Sequence, residues 1–310
     1  MNRFSRRALQ QQVHDFLCAG ISRTPPLALK PGGAVILSMV TARDLVMYLG
    51  AVKSFYAQFG AGRVVVINDG SLGSDHLRQL QDNIRGVEIL HIADAPRRSV
   101  PRGGCWERLL WMAELAKDAY VIQLDADTLT RGPIPEVCEA AARGLPFILS
   151  GDREGARIQS REEISRLSRL SASRHVQIVL EQLLAEIEPL QPFYVRGSAG
   201  FFGLPRGVLS LDAIEQWSQT MERALGPRWS EWGTEQATVN YLIANLDGTQ
   251  ILQPPRYTNR WRERPDEASA FIHFIGTNRF DGQYYARETR KAIRALKAPP
   301  VKADSLAVAG

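Results

Sequence analysis

The segment YVIQLDADTLT, Tyr120 to Thr130, runs an apolar stretch into two aspartates spaced one residue apart. Carboxylates at the end of a buried strand are costly unless cations or hydrogen-bond donors compensate them. In a turn just after a strand Asp125 and Asp127 can converge on one hard divalent cation, which takes oxygen ligands and keeps positions open for phosphate. The competing reading is a strand end followed by solvated turn residues. A phosphatase nucleophile motif, Asp-x-Asp-Gly-Thr, is disfavoured, because the glycine is missing and Thr128 comes one place early.

Working outward, AVILSMV (Ala34–Val40), RVVVINDGS (Arg63–Ser71), VEILHI and YVIQLD read as strands. Helical stretches over MYLGAVKSFYAQF (Met47–Phe59), HLRQLQDNI and WERLLWMAELAK (Trp106–Lys117) alternate with them. This alternation predicts an α/β fold with a mostly parallel central sheet and helices on both faces. The near-continuous apolar strands fit a sheet covered on both sides. Ligands of such sheets bind beyond the carboxyl ends of the strands, where Asn68, Asp69, Asp125 and Asp127 fall. After FILSGD (Phe147–Asp152) the texture turns charged and helical, and residues 153–190 are expected to form a helical insertion without strands. GSAGFFGL, TQILQ and FIHFIG are β-type, and TEQATVNYLIANL is helical.

The expected organisation is an N-terminal helical extension over residues 1–30, a catalytic domain over 31–285, and a basic C-terminal helix with a disordered tail over 286–310. The C-terminal stretch ARETRKAIRALKAPPVK is expected to be a solvated helix, with weak contact to an anionic membrane as the competing role.

The chain has 310 residues, 45% hydrophobic and 23% charged, with a net charge of +5. This is globular composition with a mild preference for anionic partners such as nucleotides, phosphates or acidic lipid. The arginines are scattered and no nucleic-acid-binding motif is present, so no nucleic acid partner is expected. Three cysteines, Cys18, Cys105 and Cys138, lack CxxC spacing and read as free thiols of a reducing compartment. No segment approaches the ~20 apolar residues that span a bilayer, and the N-terminus lacks the apolar stretch of a signal peptide. The expected location is cytoplasmic or peripheral at the inner membrane face.

YVIQLDADTLTRGPI resembles the Asp-x-Asp region of GT-A-fold glycosyltransferases, in particular glycosyltransferase family 8, the glycogenin and lipopolysaccharide galactosyltransferase group. Further pieces follow in the family's order. GSAGFF resembles its Asn-Ala/Ser-Gly segment, and TEQATVN its Asp-Gln-x-x-Leu-Asn. QPPRYTNR is similar to the loop ending in Tyr-Asn, and FIHFIGTNRFD to His-Phe-x-Gly-x-x-Lys-Pro-Trp. The resemblance covers roughly residues 34–285. Departures are Ser198 for Asn, Glu235 for Asp, and Arg279-Phe280-Asp281 for Lys-Pro-Trp. VVVINDGS is closer to the Asp-Asp-Gly-Ser turn of family 2 enzymes, which share the GT-A fold.

The resemblance implies a metal-dependent hexosyltransferase. It would move a sugar from a nucleotide-sugar donor, by default a UDP-sugar, to a hydroxyl of a glycan, lipid-linked or small-molecule acceptor, with retention. It implies Mn2+ (or Mg2+) held by Asp125, Asp127 and His273. It places Thr41, Asp69, Arg102, Arg108, Ser198, Ala199, Gly200, Gly276 and Arg279 on the donor, and Glu235 and Gln236 at the reaction centre. Glu235 would stabilise an oxocarbenium-like centre, orient the acceptor or act as nucleophile. Equally, it is an acid at the start of a helix, where the dipole favours one. Two alternatives remain: a degenerate nucleotide-binding scaffold without transfer, and a sugar-nucleotide pyrophosphorylase. The second is disfavoured because AVILSMVTARD lacks a Gly-rich loop after the first strand.

Overall fold

The computed structural model describes residues 3–261 and 264–298. The expected disordered tail lies outside the described residues from position 299 onward. The central sheet has seven strands: β1 (Ala34–Val40), β2 (Arg63–Asn68), β3 (Glu88–His91), β4 (Tyr120–Leu124), β6 (Phe147–Ser150), β7 (Gly197–Leu204) and β8 (Gln250–Leu252). Their spatial order is β8-β6-β7-β4-β1-β2-β3. All neighbours run parallel except β7, which is antiparallel to both β4 and β6.

The apolar runs have a simple cause. Alternate side chains of each strand enter two different cores. Ile36, Val64, Val66 and Ile122 pack with Tyr48, Val52 and Phe55 of α2 (Leu45–Phe59) and Val137 of α5 (Pro135–Arg143). Val35, Leu37, Val65, Ile67 and Val121 pack on the opposite side with Leu109, Met112 and Ala113 of α4 (Trp106–Leu115). The same core takes in α8 (Leu211–Leu225) and α9 (Thr234–Ala244).

A second sheet of three short strands sits beside the first. β5 (Thr128–Thr130) pairs antiparallel with β10 (Phe271–His273), setting His273 opposite Thr128. β9 (Tyr257–Asn259) pairs parallel with β10, setting Asn259 opposite His273. This register brings a residue almost 150 positions downstream against the Asp125–Asp127 turn.

Two expectations need correction. The 153–190 region is not purely helical: besides α6 (Arg161–Ser168) and α7 (Val176–Leu183) it holds Ile158–Ser160, paired antiparallel with Phe193–Val195. Tyr194 and Val195 are buried and anchor that pair to the core. The C-terminal helix α10 (Tyr284–Lys297) is not simply solvated. Tyr284, Tyr285, Ala286, Thr289 and Ile293 are buried, and the helix packs on α1 (Arg3–Cys18) and α2. Arg287, Arg290, Lys291, Arg294 and Lys297 remain on its exposed face. Among the described residues no helix is long and apolar enough to cross a membrane.

Candidate active site

Asp125 follows β4, and its amide donates to the Gly200 carbonyl at 2.8 Å on neighbouring β7. The turn closes through Thr128 Oγ1, which donates to the Asp125 carbonyl at 2.8 Å. Asp127 is fixed from the other side, its carbonyl accepting from Phe274 N–H at 2.8 Å. The two carboxylates converge on His273. Its Nε2 lies 3.2 Å from Asp127 Oδ1 and 3.6 Å from Asp125 Oδ2.

The ring is oriented from behind. Asn259 Oδ1 lies 3.0 Å from His273 Nδ1, while Asn259 Nδ2 donates to the Ser150 carbonyl at 2.6 Å. The amide therefore presents its oxygen to the ring, which places a proton on Nδ1 and leaves the Nε2 lone pair for a cation. Ser198 Oγ stands 3.2 Å from the same Nδ1. One ligand atom from each of Asp125, Asp127 and His273 can be chosen so that all lie within 4.8 Å of one another. The buried donor set fits a divalent cation: two carboxylate oxygens plus an imidazole made ligand-ready by its partner. Gly200 leaves the room, since a Cβ there would stand 2.7 Å from His273 Nε2 and 2.8 Å from Asp125 Oδ2.

Without that cation the charges balance internally. Burial opposes a charge on His273, but Asp127 and Asp125 outweigh it and raise its pKa to about 9. Burial likewise opposes ionisation of Asp127, and Arg279 with His273 reverses this, lowering it to about 2. The Arg279 guanidinium contacts Asp127 Oδ2 at 2.8 Å.

Arg108, in the first turn of α4, is buried and bonds two acids. One guanidinium nitrogen contacts Asp125 Oδ1, and the other donates to Glu235 Oε1 at 3.0 Å. The starts of α4 and α9 are tied together by Trp106 Nε1 donating to Thr234 Oγ1 at 3.1 Å. One cation cannot fully neutralise two buried anions. Burial raises Glu235 to about 7 despite Arg108, whereas Asp125 is lowered, with Arg108 the leading force against its burial.

These groups line one cleft of about 1040 Å³ with Ser198, Ala199, Gly200, Gln236, Gly276 and Arg279. Gln236 crosses it, its Oε1 accepting from Ala199 N–H at 3.4 Å and its Nε2 donating to Gln177 at 3.0 Å. Thr41, Asp69 and Arg102 are not among the lining residues. Thr41 and Asp69 follow β1 and β2 at the same edge of the sheet. Thr41 donates to Asp44 at 2.9 Å, and Asp69 accepts from Ser71 within its own turn. Arg102 lines a separate, smaller hollow with Arg97 and Arg98.

Sequence reasoning missed several lining groups: Arg7 from α1, His175, Gln177, Trp232, Asn259 and Trp261. For Asn259 a signal existed in the QPPRYTNR segment; for Arg7 and Trp232 no local pattern marks them.

No protein-family model matches the chain, and a search of curated proteins finds no match. Solved structures do. An active-site mutant of the galactosyltransferase LgtC superposes with a TM-score of 0.50 at 11% identity, covering 86% of this chain and 97% of that one. GlyE of Streptococcus pneumoniae gives 0.47 at 11% identity, over 88% of this chain and 65% of that one. Mouse xyloside xylosyltransferase 1, in its apo form, gives 0.44 at 12%, over 77% and 97%. The likeness to LgtC, with the mixed sheet and its covering helices, identifies the architecture as the GT-A fold.

Proposed function

We propose that the protein is a metal-dependent glycosyltransferase using a UDP-sugar, acting with retention. The observation that carries this reading is the convergence of Asp125, Asp127 and His273 Nε2 in a cleft also lined by Arg279, at the carboxyl end of β4. A divalent ion held there, Mn2+ suiting the mixed oxygen and nitrogen set, would act as Lewis acid on the leaving nucleoside diphosphate. Arg279 would turn from Asp127 to the same phosphates, its fork contacting two oxygens. Arg7 would reach them from α1. None of the hydrogen bonds or ion pairs among the described residues engages it, and although its side chain is exposed, partial desolvation and then Arg279 nearby disfavour its charge, as an anion would relieve. Thr41 and Asp69, at the ends of β1 and β2, are proposed for the nucleoside.

The stereochemical reading rests on there being no free base among the described residues of the cleft. Among the described residues, three carboxylates line the cleft: Asp125, Asp127 and Glu235. The first two face the cation site, and Glu235 is bonded to Arg108. His175 Nδ1 accepts from Gln177 N–H at 3.3 Å, which puts its proton on Nε2. Burial raises the Cys105 thiol to about 11, so it stays protonated. The acceptor hydroxyl would then lose its proton to the departing β-phosphate oxygen. The bond from sugar C1 to that oxygen breaks as the bond from C1 to the acceptor oxygen forms on the same face, which retains configuration. Glu235, in its ionised form, would stabilise the positive character at C1, and Gln236 would position the sugar.

Thermal unfolding with UDP, with Mn2+ and with both tests this. UDP at about 100 times its dissociation constant, with Mn2+ present, should add ~2.7 kcal/mol, a rise on the order of 5 °C. No rise with any nucleoside diphosphate and metal overturns the reading. A rise without turnover of any donor sugar would favour the binding scaffold instead.

A further inference from the structure

Trp232 is 74% exposed, yet it lies in the cleft rather than on an open face. Single exposed apolar residues are ordinary on a protein surface. This one is held on a fixed support. On its N-terminal side Trp229 is buried, and Arg228 grips Glu231 through two nitrogens at 2.7 and 3.1 Å. On its C-terminal side Thr234 Oγ1 donates to the Glu231 carbonyl at 3.1 Å, and itself accepts from Trp106. Gly233, between them, has φ +105°, and a Cβ there would stand 2.8 Å from His175 Cε1. The His175 ring meets the indole edge-on, with centroids 5.9 Å apart.

The surroundings of the indole define what fits it. His175 stands beside it, and the amides of Gln177 and Gln236 line the same cleft. Of the lining arginines, Arg279 is paired with Asp127 and Arg108 with Asp125 and Glu235, while Arg7 stands near Arg279. Gln236 links this wall to β7 through Ala199. A second indole, Trp261, also lines the cleft. An apolar flat face rimmed by neutral amides matches a pyranose ring, which has a C–H face and a rim of hydroxyls. The charges next to the indole in sequence, Arg228 and Glu231, are paired with each other and leave no net counter-charge for a charged acceptor.

We propose that Trp232, with His175 and the Gln177–Gln236 pair, forms the acceptor platform, and that the acceptor is a neutral saccharide whose ring stacks on the indole. This deepens the transferase reading and rests on it for the identity of the bound sugar as acceptor.

Ligand-observed NMR tests the platform without needing turnover. Saturation transfer would be recorded from the protein, with UDP and Mn2+ present, to the methyl pyranosides of glucose, galactose, mannose and xylose. At least one should receive saturation at its ring C–H protons. The signal should fall roughly three- to tenfold in Trp232→Ala, the size of a lost aromatic contact, and persist in Trp232→Phe. The thermal shift caused by UDP and Mn2+ should be the same in Trp232→Ala. If UDP and Mn2+ bind but no pyranoside is saturated, or if the signal ignores Trp232→Ala, the platform is overturned and the donor reading stands. If UDP and Mn2+ give no shift while a Trp232-dependent signal remains, the donor reading fails and the saccharide platform stands.

Discussion

Arg108 donates to Glu235 Oε1 at 3.0 Å while its other terminal nitrogen holds Asp125, so one buried cation joins the start of α9 to the turn after β4. Removing it strands two acids. Arg108→Met should destabilise the metal-free protein by about 3–5 kcal/mol, the cost of breaking a buried pair from one side. Adding Glu235→Gln in that background should recover part of the loss. Urea unfolding of the four proteins in a double-mutant cycle measures the coupling.

The raised pKa of Glu235 makes stability depend on pH. The native state holds its proton up to about 7, whereas the unfolded chain releases it near the ordinary glutamate value of 4.5. Its contribution is therefore complete below the unfolded pKa and lost as pH rises to about 7. Glu235→Gln should remove that decline. Relative to Glu235→Gln, the parent protein should lose stability between pH 5 and pH 7.5; parallel curves would contradict the assignment.

Gly200 and Gly276 should behave differently when each is changed to alanine. At Gly200 a methyl group meets His273 and Asp125, so Mn2+ affinity should fall by tenfold or more, as when metal ligands lose their orientation. At Gly276, with φ +67° and nothing nearby, the cost should be ~1–2 kcal/mol of backbone strain without a comparable loss of Mn2+ binding. Calorimetric titration with Mn2+ separates the two.

Asn259→Leu keeps the bulk behind His273 and removes the acceptor for Nδ1. Mn2+ affinity should drop about 10- to 100-fold. The melting temperature without metal should move less than in Arg108→Met.

Arg7→Ala should weaken UDP binding in the presence of Mn2+ by roughly tenfold, within the range for a charged hydrogen bond. Mn2+ binding alone should persist. The loss should shrink in high salt, because Arg7 is open to solvent and its field is screened. Fluorescence or calorimetric titration at two ionic strengths checks both statements.

The doubly covered sheet was legible because its strands are buried on both faces and so carry unbroken apolar runs. Strand direction was not: GSAGFFGL looks the same whether it runs with or against its neighbours, and only tertiary pairing makes β7 antiparallel. Asp125, Asp127, His273, Ser198, Gly200, Glu235 and Arg279 were named from local motifs, and the fold gathers them in one cleft. Asn259 acts through its register opposite His273, and Arg7 through the docking of α1. The docking of Arg7 leaves no trace in nearby residues, whereas QPPRYTNR marked the segment of Asn259 but not its register. Trp232 was invisible because an indole destined for the core and one left bare in a cleft look alike in sequence.

The His273 register across from Thr128 also sets an order for synthesis. Asp125 and Asp127 emerge from the ribosome almost 150 residues before His273 and Arg279, the groups that compensate Asp127. At about 5–20 residues per second, Asp127 waits on the order of ten seconds with its charge unanswered, whereas Arg108 precedes Asp125 in the chain. The strands around it can pair in that interval, but the cation site closes only when the last fifth of the chain folds back. A nascent chain halted before β10 would hold most of the central sheet and have no affinity for the metal.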